Sequence, residues 1–143
     1  MRVDKRAAAA IQIDAAIGHY AEANYVCAIT LAGAAEGCMP PTEDWHLFPG
    51  LKKLACKYLT SIPENKAVQL LNADLYWLKH HNEGQPLEIN VEHAAAFQLI
   101  ARATTKFLAI HGQAHETERM NWFWNAFEEE IVNDIDVSGN AAG

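Results

Sequence analysis

Apolar residues recur every three or four positions in successive segments of this chain, and that spacing limits its fold more than any other feature. In one segment Val68, Leu71, Leu75 and Leu78 follow at intervals of three, four and three. A helix turns once in about 3.6 residues, so this spacing places all four side chains on one face. No segment has the alternation of apolar and polar residues that is typical of a paired strand. The sequence therefore predicts an all-α protein.

The breaks between the apolar stripes predict five or six helices joined by short loops. Asn24 and Asn90 are candidate N-caps, Ser61 and Glu64 have the spacing of a capping box, and Gly112 is a candidate stop. The chain has 143 residues, which is the length of one domain. We expect a helical bundle domain over 1–132 and a flexible, polar C-terminal tail over 133–143. The expected helices span residues 4–23, 25–37, 49–59, 61–80, 91–110 and 116–132.

The second of these helices is unusually rich in small residues. It carries Gly33 in its interior, and a glycine there costs about 1 kcal/mol relative to alanine. Ala28, Ala32 and Ala35 lie close to Gly33 in the sequence. We interpret this set as a surface that packs closely against a neighbouring helix.

The formal net charge is −7, from 11 lysines and arginines and 18 aspartates and glutamates. Proteins that bind phosphate backbones are usually basic, so binding to nucleic acid is not expected. Lys52, Lys53 and Lys57 can share one helix face, which we interpret as a solvated face, with a small local basic patch as the alternative. No apolar run approaches the roughly 20 residues of a membrane span. We therefore expect a soluble protein with no membrane contact.

Cysteine content and the N-terminal sequence indicate a cytoplasmic protein. Cys27, Cys38 and Cys56 are odd in number and form no CxxC motif, so we expect reduced, mostly buried thiols. Asp4 and Asp14 interrupt the N-terminal segment, which has no clean apolar core for a signal peptide.

Seven histidines raise the question of a metal site. His111 and His115 are four residues apart, but Gly112 lies between them and is expected to end the helix. The sequence has no HExxH motif, zinc-finger spacing, phosphate-binding glycine loop or GxSxG motif. We expect structural or surface histidines, no metal and no cofactor. A bundle that binds metal through histidines and glutamates is kept as an alternative.

Five polar residues form the candidate binding site. Asn72 and Lys79 fall near one face of the helix 61–80, with His80 beside them, at the edge of the apolar stripe. Glu36 and Arg102 are isolated charges in apolar helices, so each is either on an outer face or buried with a partner. We predict that these five residues line one small polar site. Two structural interpretations remain open: Lys79 and His80 at a helix C-terminus, and an internal ion pair between Glu36 and a cation.

Trp122 and Trp124 are the candidate interface residues. They are about 200° apart around a helix, so both cannot face the core on one narrow stripe. We expect one of them to pack inside and the other to meet a partner chain in a homo-oligomer. Core packing of both rings between two neighbouring helices is the alternative.

Two segments resemble a group of uncharacterised small bacterial all-helical proteins. These segments are IDAAIGHYAEANYVCAITLAGAAEG (13–37) and LLNADLYWLKHHNEG (70–84), with the motifs LAGAAE and WLKH. That group is in turn similar to the HEPN helical-bundle superfamily, in which many members are ribonucleases and others bind nucleotides or partner proteins. The resemblance implies a bundle, a tendency to dimerise and a polar pocket near Asn72, Lys79 and His80.

The ribonuclease motif of that superfamily is not preserved here. Its catalytic members carry an arginine, usually followed by a small polar residue, and a histidine four to six residues further on. In this chain no arginine precedes Asn72, and His80 is eight positions after it. Arg102 and His111 have eight residues between them, which is also too many. The departure argues against nuclease activity.

We therefore expect a homo-oligomeric binding or interaction module, most simply a homodimer, for a small ligand or a protein partner. The enzyme alternative is a HEPN-like ribonuclease with a degenerate motif. His80 would be its general acid or base, and Lys79 would stabilise phosphate charge.

Overall fold

The computed structural model describes residues 1–58 and 62–127, and all the regular structure in these residues is helical. The prediction of an all-α chain is confirmed. The described residues contain seven α-helices, one more than the upper expected number, and one short 3₁₀ turn at Gln113–His115. The helices are α1 (Lys5–Ala21), α2 (Tyr25–Cys38), α3 (Leu47–Tyr58), α4 (Glu64–Leu71), α5 (Ala73–Lys79), α6 (His93–His111) and α7 (residues 118–127).

Some predictions concern residues outside these ranges. They are the polar tail over 133–143, the last part of the final helix over 128–132, the end of the third helix at residue 59, and Ser61. None of the helices in the described residues is long and apolar enough to cross a bilayer.

The additional helix arises because the segment predicted as one helix over 61–80 is divided at Asn72. The backbone of Asn72 has φ −108° and ψ 6°, and it separates α4 from α5. The carbonyl oxygen of Leu71, the last residue of α4, accepts hydrogen bonds from Gln98 Nε2 at 2.9 Å and Arg102 Nη1 at 3.3 Å. Terminal carbonyls of a helix need such external donors. Tertiary contacts from α6 therefore support a break that local sequence does not reveal.

The helix termini confirm some of the predicted caps and correct others. Asn24 is the N-cap of α2, and its Oδ1 accepts from the backbone N–H of Cys27. Gly112 follows α6 with a positive φ of 86°, as expected for a glycine stop. The prediction for Asn90 is wrong, since Glu92 is the N-cap of α6 and the amide of Asn90 donates to the Glu92 carboxylate.

Two helix starts also differ from the expected positions. α4 begins at Glu64 with Pro63 as its N-cap, so Glu64 is the first helical residue and not the third, as a capping box requires. α3 begins at Leu47, two residues before Pro49, so this proline is still within the first turn, where its missing N–H is tolerated.

The core lies where α1, α2 and α6 pack together, and Met120 and Phe123 of α7 are also buried in it. Small residues let these helices approach closely, and the predicted set Ala28, Ala32, Gly33 and Ala35 is buried. The prediction that this surface packs against a neighbour is confirmed, because α6 and the Leu75 side chain of α5 lie against α2. The largest fully buried apolar side chains are Ile13, Ile17, Ile29, Ile100, Phe107 and Met120.

Candidate binding site

Arg102 lies at the centre of the candidate site. Arg102 is only 2% exposed and lies among mostly apolar buried residues of α6. The guanidinium makes a bidentate ion pair with Glu36 of α2, from Nε to Oε1 at 3.1 Å and from Nη2 to Oε2 at 2.7 Å. The Glu36 side chain is 13% exposed. Two parallel charge-assisted bonds fix both distance and orientation, so this pair holds α2 and α6 in one geometry.

The remaining donor side of Arg102 binds the α4–α5 break. Its Nη1 donates to Asn72 Oδ1 at 2.9 Å, to Gln98 Oε1 at 3.3 Å and to the Leu71 carbonyl oxygen at 3.3 Å. The Phe48 ring of α3 covers the guanidinium, with 3.7 Å between Cζ and the ring centroid. One side chain therefore connects α2, α3, the α4–α5 break and α6.

The electrostatics of Arg102 follow from its burial. Loss of water lowers the pKa of the Arg102 guanidinium below its ordinary value, and the charge and hydrogen bonds of Glu36 act in the opposite direction. Arginine side chains are not deprotonated in proteins, so Arg102 keeps its positive charge. The pair is thus a buried salt bridge, and its polar atoms are satisfied mainly by protein groups. These contacts favour the structural interpretation of Glu36 and Arg102 over direct ligand binding.

Lys106 extends this arrangement and was not singled out from the sequence. Its Nζ donates to the carbonyl oxygens of Glu36 at 3.0 Å and Met39 at 3.2 Å, where α2 ends. A cation at a helix C-terminus also interacts favourably with the helix dipole. Gln98, Arg102 and Lys106 are spaced four residues apart on α6, and this polar row in an apolar helix is a signal that could have identified the group.

Lys79 and His80 do not lie beside the Glu36–Arg102 ion pair. They line an open groove of about 280 Å³ formed by the end of α5 and residues 80–87. Within the described residues, no hydrogen bond or ion pair joins either of them to Arg102 or its side-chain partners Glu36, Asn72 and Gln98, which together we call the Arg102 group. The other lining residues are Trp77, Leu78, His81, Asn82, Gln85, Pro86 and Leu87.

Local contacts shape this groove. The His80 ring lies against Tyr76, with ring centroids 4.6 Å apart. The Tyr76 hydroxyl accepts from Asn82 Nδ2 at 3.2 Å, and Trp77 Nε1 donates to the Pro86 carbonyl oxygen at 2.9 Å. The loop after α5 is therefore folded back on the helix, and Lys79 and His80 border the resulting depression.

Asn72 is close to both regions. Its Oδ1 binds Arg102, while the residue also lines a second surface groove of about 480 Å³ together with Tyr76. Val68, Gln69 and Ala73 complete that lining. The five predicted residues are thus divided into a buried pair, Glu36 and Arg102, an open pair, Lys79 and His80, and Asn72 at the boundary.

The tryptophans lie on opposite sides of α7, as their spacing requires. Trp122 is 50% exposed, whereas Trp124 packs against the core and contacts Phe123 and Phe127, with ring centroids 5.5 and 6.3 Å apart. Tryptophan side chains are enriched among the anchor residues of protein interfaces.

The metal-site alternative receives no support from geometry. Among residues 1–58 and 62–127, no three histidine, cysteine, aspartate or glutamate side chains converge as metal ligands. His111 lies on the Phe107 ring, and His46 binds the Asp44 carbonyl oxygen at 3.0 Å. The three cysteines are free thiols and are half-buried, so they are less buried than expected.

Comparison of this chain with protein-family models, with curated proteins and with solved structures gave no match.

Proposed function

We propose that this chain is a cytoplasmic binding module whose ligand site is the open groove beside α5, and that it acts as a homo-oligomer. The observation that carries the proposal is the placement of Lys79 and His80 in that groove, next to the groove of Asn72 and Tyr76. The Arg102 group has a supporting role, because its contacts with Leu71 and Asn72 hold the start of α5 in place.

The chemistry of the groove favours an anionic group on the ligand. Its lining contains one lysine, two histidines and the amides of Asn82 and Gln85, and among the described residues no acidic side chain lines it. Lysine supplies a positive charge and three donors, and each neutral imidazole supplies one donor and one acceptor. The volume, about 280 Å³, suits a carboxylate-bearing metabolite or a single acidic side chain of a partner.

The ligand proposal is tested by NMR titration of ¹⁵N-labelled protein with succinate as the probe. We expect saturable shifts at the backbone amides of residues 79–82 and 85. His80→Ala and Lys79→Met should weaken binding by about tenfold each, the loss of one charge-assisted hydrogen bond. The thermal midpoint should hardly change. His115→Ala is the control, because this histidine lies outside the groove lining. Loss of stability in His80→Ala without any effect on binding would favour a purely structural role.

The oligomer proposal rests on Trp122. A large apolar side chain that is half exposed on α7 can be buried against a second copy of the chain. Size-exclusion chromatography with light scattering should give a dimer for the wild-type protein. Trp122→Ala should give a monomer of nearly unchanged thermal stability, whereas Trp124→Ala should destabilise the fold. A monomeric wild-type protein would contradict this part of the proposal and leave the ligand groove unaffected.

One observation favours the HEPN-like ribonuclease as a second candidate. His80 and Lys79 line the same open groove, so a proton-transfer group and a phosphate-stabilising cation are close together. Cleavage of a mixed RNA pool by the wild-type protein, lost in His80→Ala, is the result expected for this alternative. RNA that stays intact under both conditions would exclude it in favour of the binding module.

A further inference from the structure

A third depression, separate from the two grooves described above, is a cleft between α3 and the start of α4. It has a volume of about 450 Å³. Its walls are Pro49, Lys52, Lys53, Cys56 and Lys57 of α3 and Glu64 of α4. The five α3 positions follow the three- and four-residue spacing of one helix face. The lysines therefore line a concave surface, and the solvated face expected from the sequence is also one wall of a cleft.

Positive charge is concentrated at this cleft in an otherwise acidic protein. It contains three of the seven lysines of the chain, whose formal net charge is −7. Residues 45–63 contain no aspartate or glutamate, although the whole chain has 18. Such a segregation of charge creates a local field that attracts anions, against the sign of the whole molecule.

Lys52 is paired across the cleft. Lys52 Nζ lies 2.8 Å from Glu64 Oε1, and the hydrogen bond and charge of Lys52 lower the pKa of the Glu64 carboxyl group. This pair is at the surface and is weak in water. Lys53 is exposed, and within the described residues no hydrogen bond or ion pair is seen at its ammonium group. Among the described residues that line the cleft, three carry ammonium groups and Glu64 alone carries a carboxylate.

We propose that this cleft binds the phosphate group of a small phosphorylated metabolite. A phosphate dianion needs more than one cation, and clustered lysines bind it as point charges. Pro49 and Cys56 provide less polar wall for the organic part of such a ligand. A cleft of about 450 Å³ is within the range of small-molecule sites and exceeds what an inorganic phosphate fills.

The test is an NMR titration of the full chain with inorganic pyrophosphate at low ionic strength. Pyrophosphate should give saturable shifts at residues 52, 53, 56 and 57, and 79–82 should stay unchanged. The two proposed sites are therefore distinguished in one spectrum. Lys53→Gln and Lys57→Gln should each weaken binding by about tenfold. Lys66→Gln removes the same charge from an exposed position on α4 outside the cleft, and its affinity should stay within about twofold of wild type.

A second measurement applies if a lysine variant does not fold. Pyrophosphate should slow the alkylation of Cys56 by iodoacetamide in the wild-type protein, and the rates at Cys27 and Cys38 should not change. Equal weakening by Lys66→Gln would show nonspecific attraction and overturn the proposal. Titration without saturation, or protection of all three cysteines alike, would also overturn it. Binding of single-stranded RNA without binding of pyrophosphate would replace it with a nucleic-acid surface.

Discussion

The side chain of Leu75 lies directly on the backbone of Gly33. A Cβ atom built on Gly33 would be 2.6 Å from Leu75 Cδ2 and 3.1 Å from Leu75 Cγ, so the branched end of the leucine occupies the space that any larger residue would need. This contact is where α5 meets the middle of α2. It explains why a residue that disfavours helix is found inside a buried helix.

The first prediction concerns this contact. Gly33→Ala should destabilise the protein by about 1–3 kcal/mol, because overpacking at the leucine outweighs the better helix propensity of alanine. Gly37→Ala is a matched control in the same helix, since nothing lies within 4 Å of its added Cβ. The control should be neutral or stabilising by up to about 1 kcal/mol. Urea unfolding followed by circular dichroism measures both, and equal effects would contradict the packing argument.

The second prediction concerns the buried ion pair. Arg102→Met leaves the Glu36 carboxylate without its partner in a mostly buried place, and should cost about 3–5 kcal/mol of unfolding free energy. The double variant Glu36→Leu with Arg102→Met removes both charges and should regain part of that loss. A double-mutant cycle in urea gives the coupling energy. Strictly additive losses would show that the two side chains do not interact.

The third prediction separates a real cap from an apparent one. Asp4 Oδ1 accepts from the backbone N–H of Ala7 at 2.8 Å, so Asp4→Ala should cost about 1 kcal/mol by exposing a donor at the start of α1. Asn90 makes no cap bond, since Glu92 is the N-cap of α6, and Asn90→Ala should change stability by less than about 0.5 kcal/mol. Thermal unfolding of the two variants checks the difference. A larger loss for Asn90→Ala would reverse the assignment.

The fourth prediction is a pH dependence from His111. Burial lowers the pKa of His111 below its ordinary value of 6.5, and the charges of Arg6 and His115 lower it further, while Asp4 opposes them. As the pH falls, this histidine is therefore protonated in the unfolded chain at a higher pH than in the folded protein. Stability from this source is complete above about pH 6.5 and falls as the pH decreases through the two pKa values.

His111→Gln should reduce the difference between the urea midpoints measured at pH 7.5 and pH 5.5. His81→Gln, in the α5 groove, serves as the control for the loss of a histidine. If His111→Gln leaves the difference between the two urea midpoints unchanged, other groups cause the loss of stability at low pH.

Much of the fold could be predicted because apolar spacing and local caps are properties of neighbouring residues. The stripe in α4 and α5, the cap at Asn24 and the stop at Gly112 all depend on residues a few positions apart. The division at Asn72 could not be predicted in this way. It is supported by Gln98 and Arg102, which are 27 and 31 residues away from the Leu71 carbonyl in the sequence.

The candidate site also depends on contacts between residues that are distant in sequence or lie in a loop, and the sequence does not reveal these contacts. Glu36 and Arg102 attract attention as lone charges in apolar helices, and their pairing was one of the open interpretations. That Lys79 and His80 lie apart from this pair depends on the path of residues 80–87. The bonds from Trp77 to Pro86 and from Asn82 to Tyr76 fix that path, and no helical periodicity describes it.

The guanidinium of Arg102 holds parts of the chain that are far apart in sequence, and this has an evolutionary consequence. Glu36 is 66 residues from Arg102, and Asn72 is 30 residues from it. A substitution at any one of these positions leaves polar groups of the others without a hydrogen-bond partner. Sequence change at one position is therefore constrained by the residues at the other two. Related sequences should therefore either keep the trio together or replace the charged pair jointly, giving a covariation signal between α2 and α6.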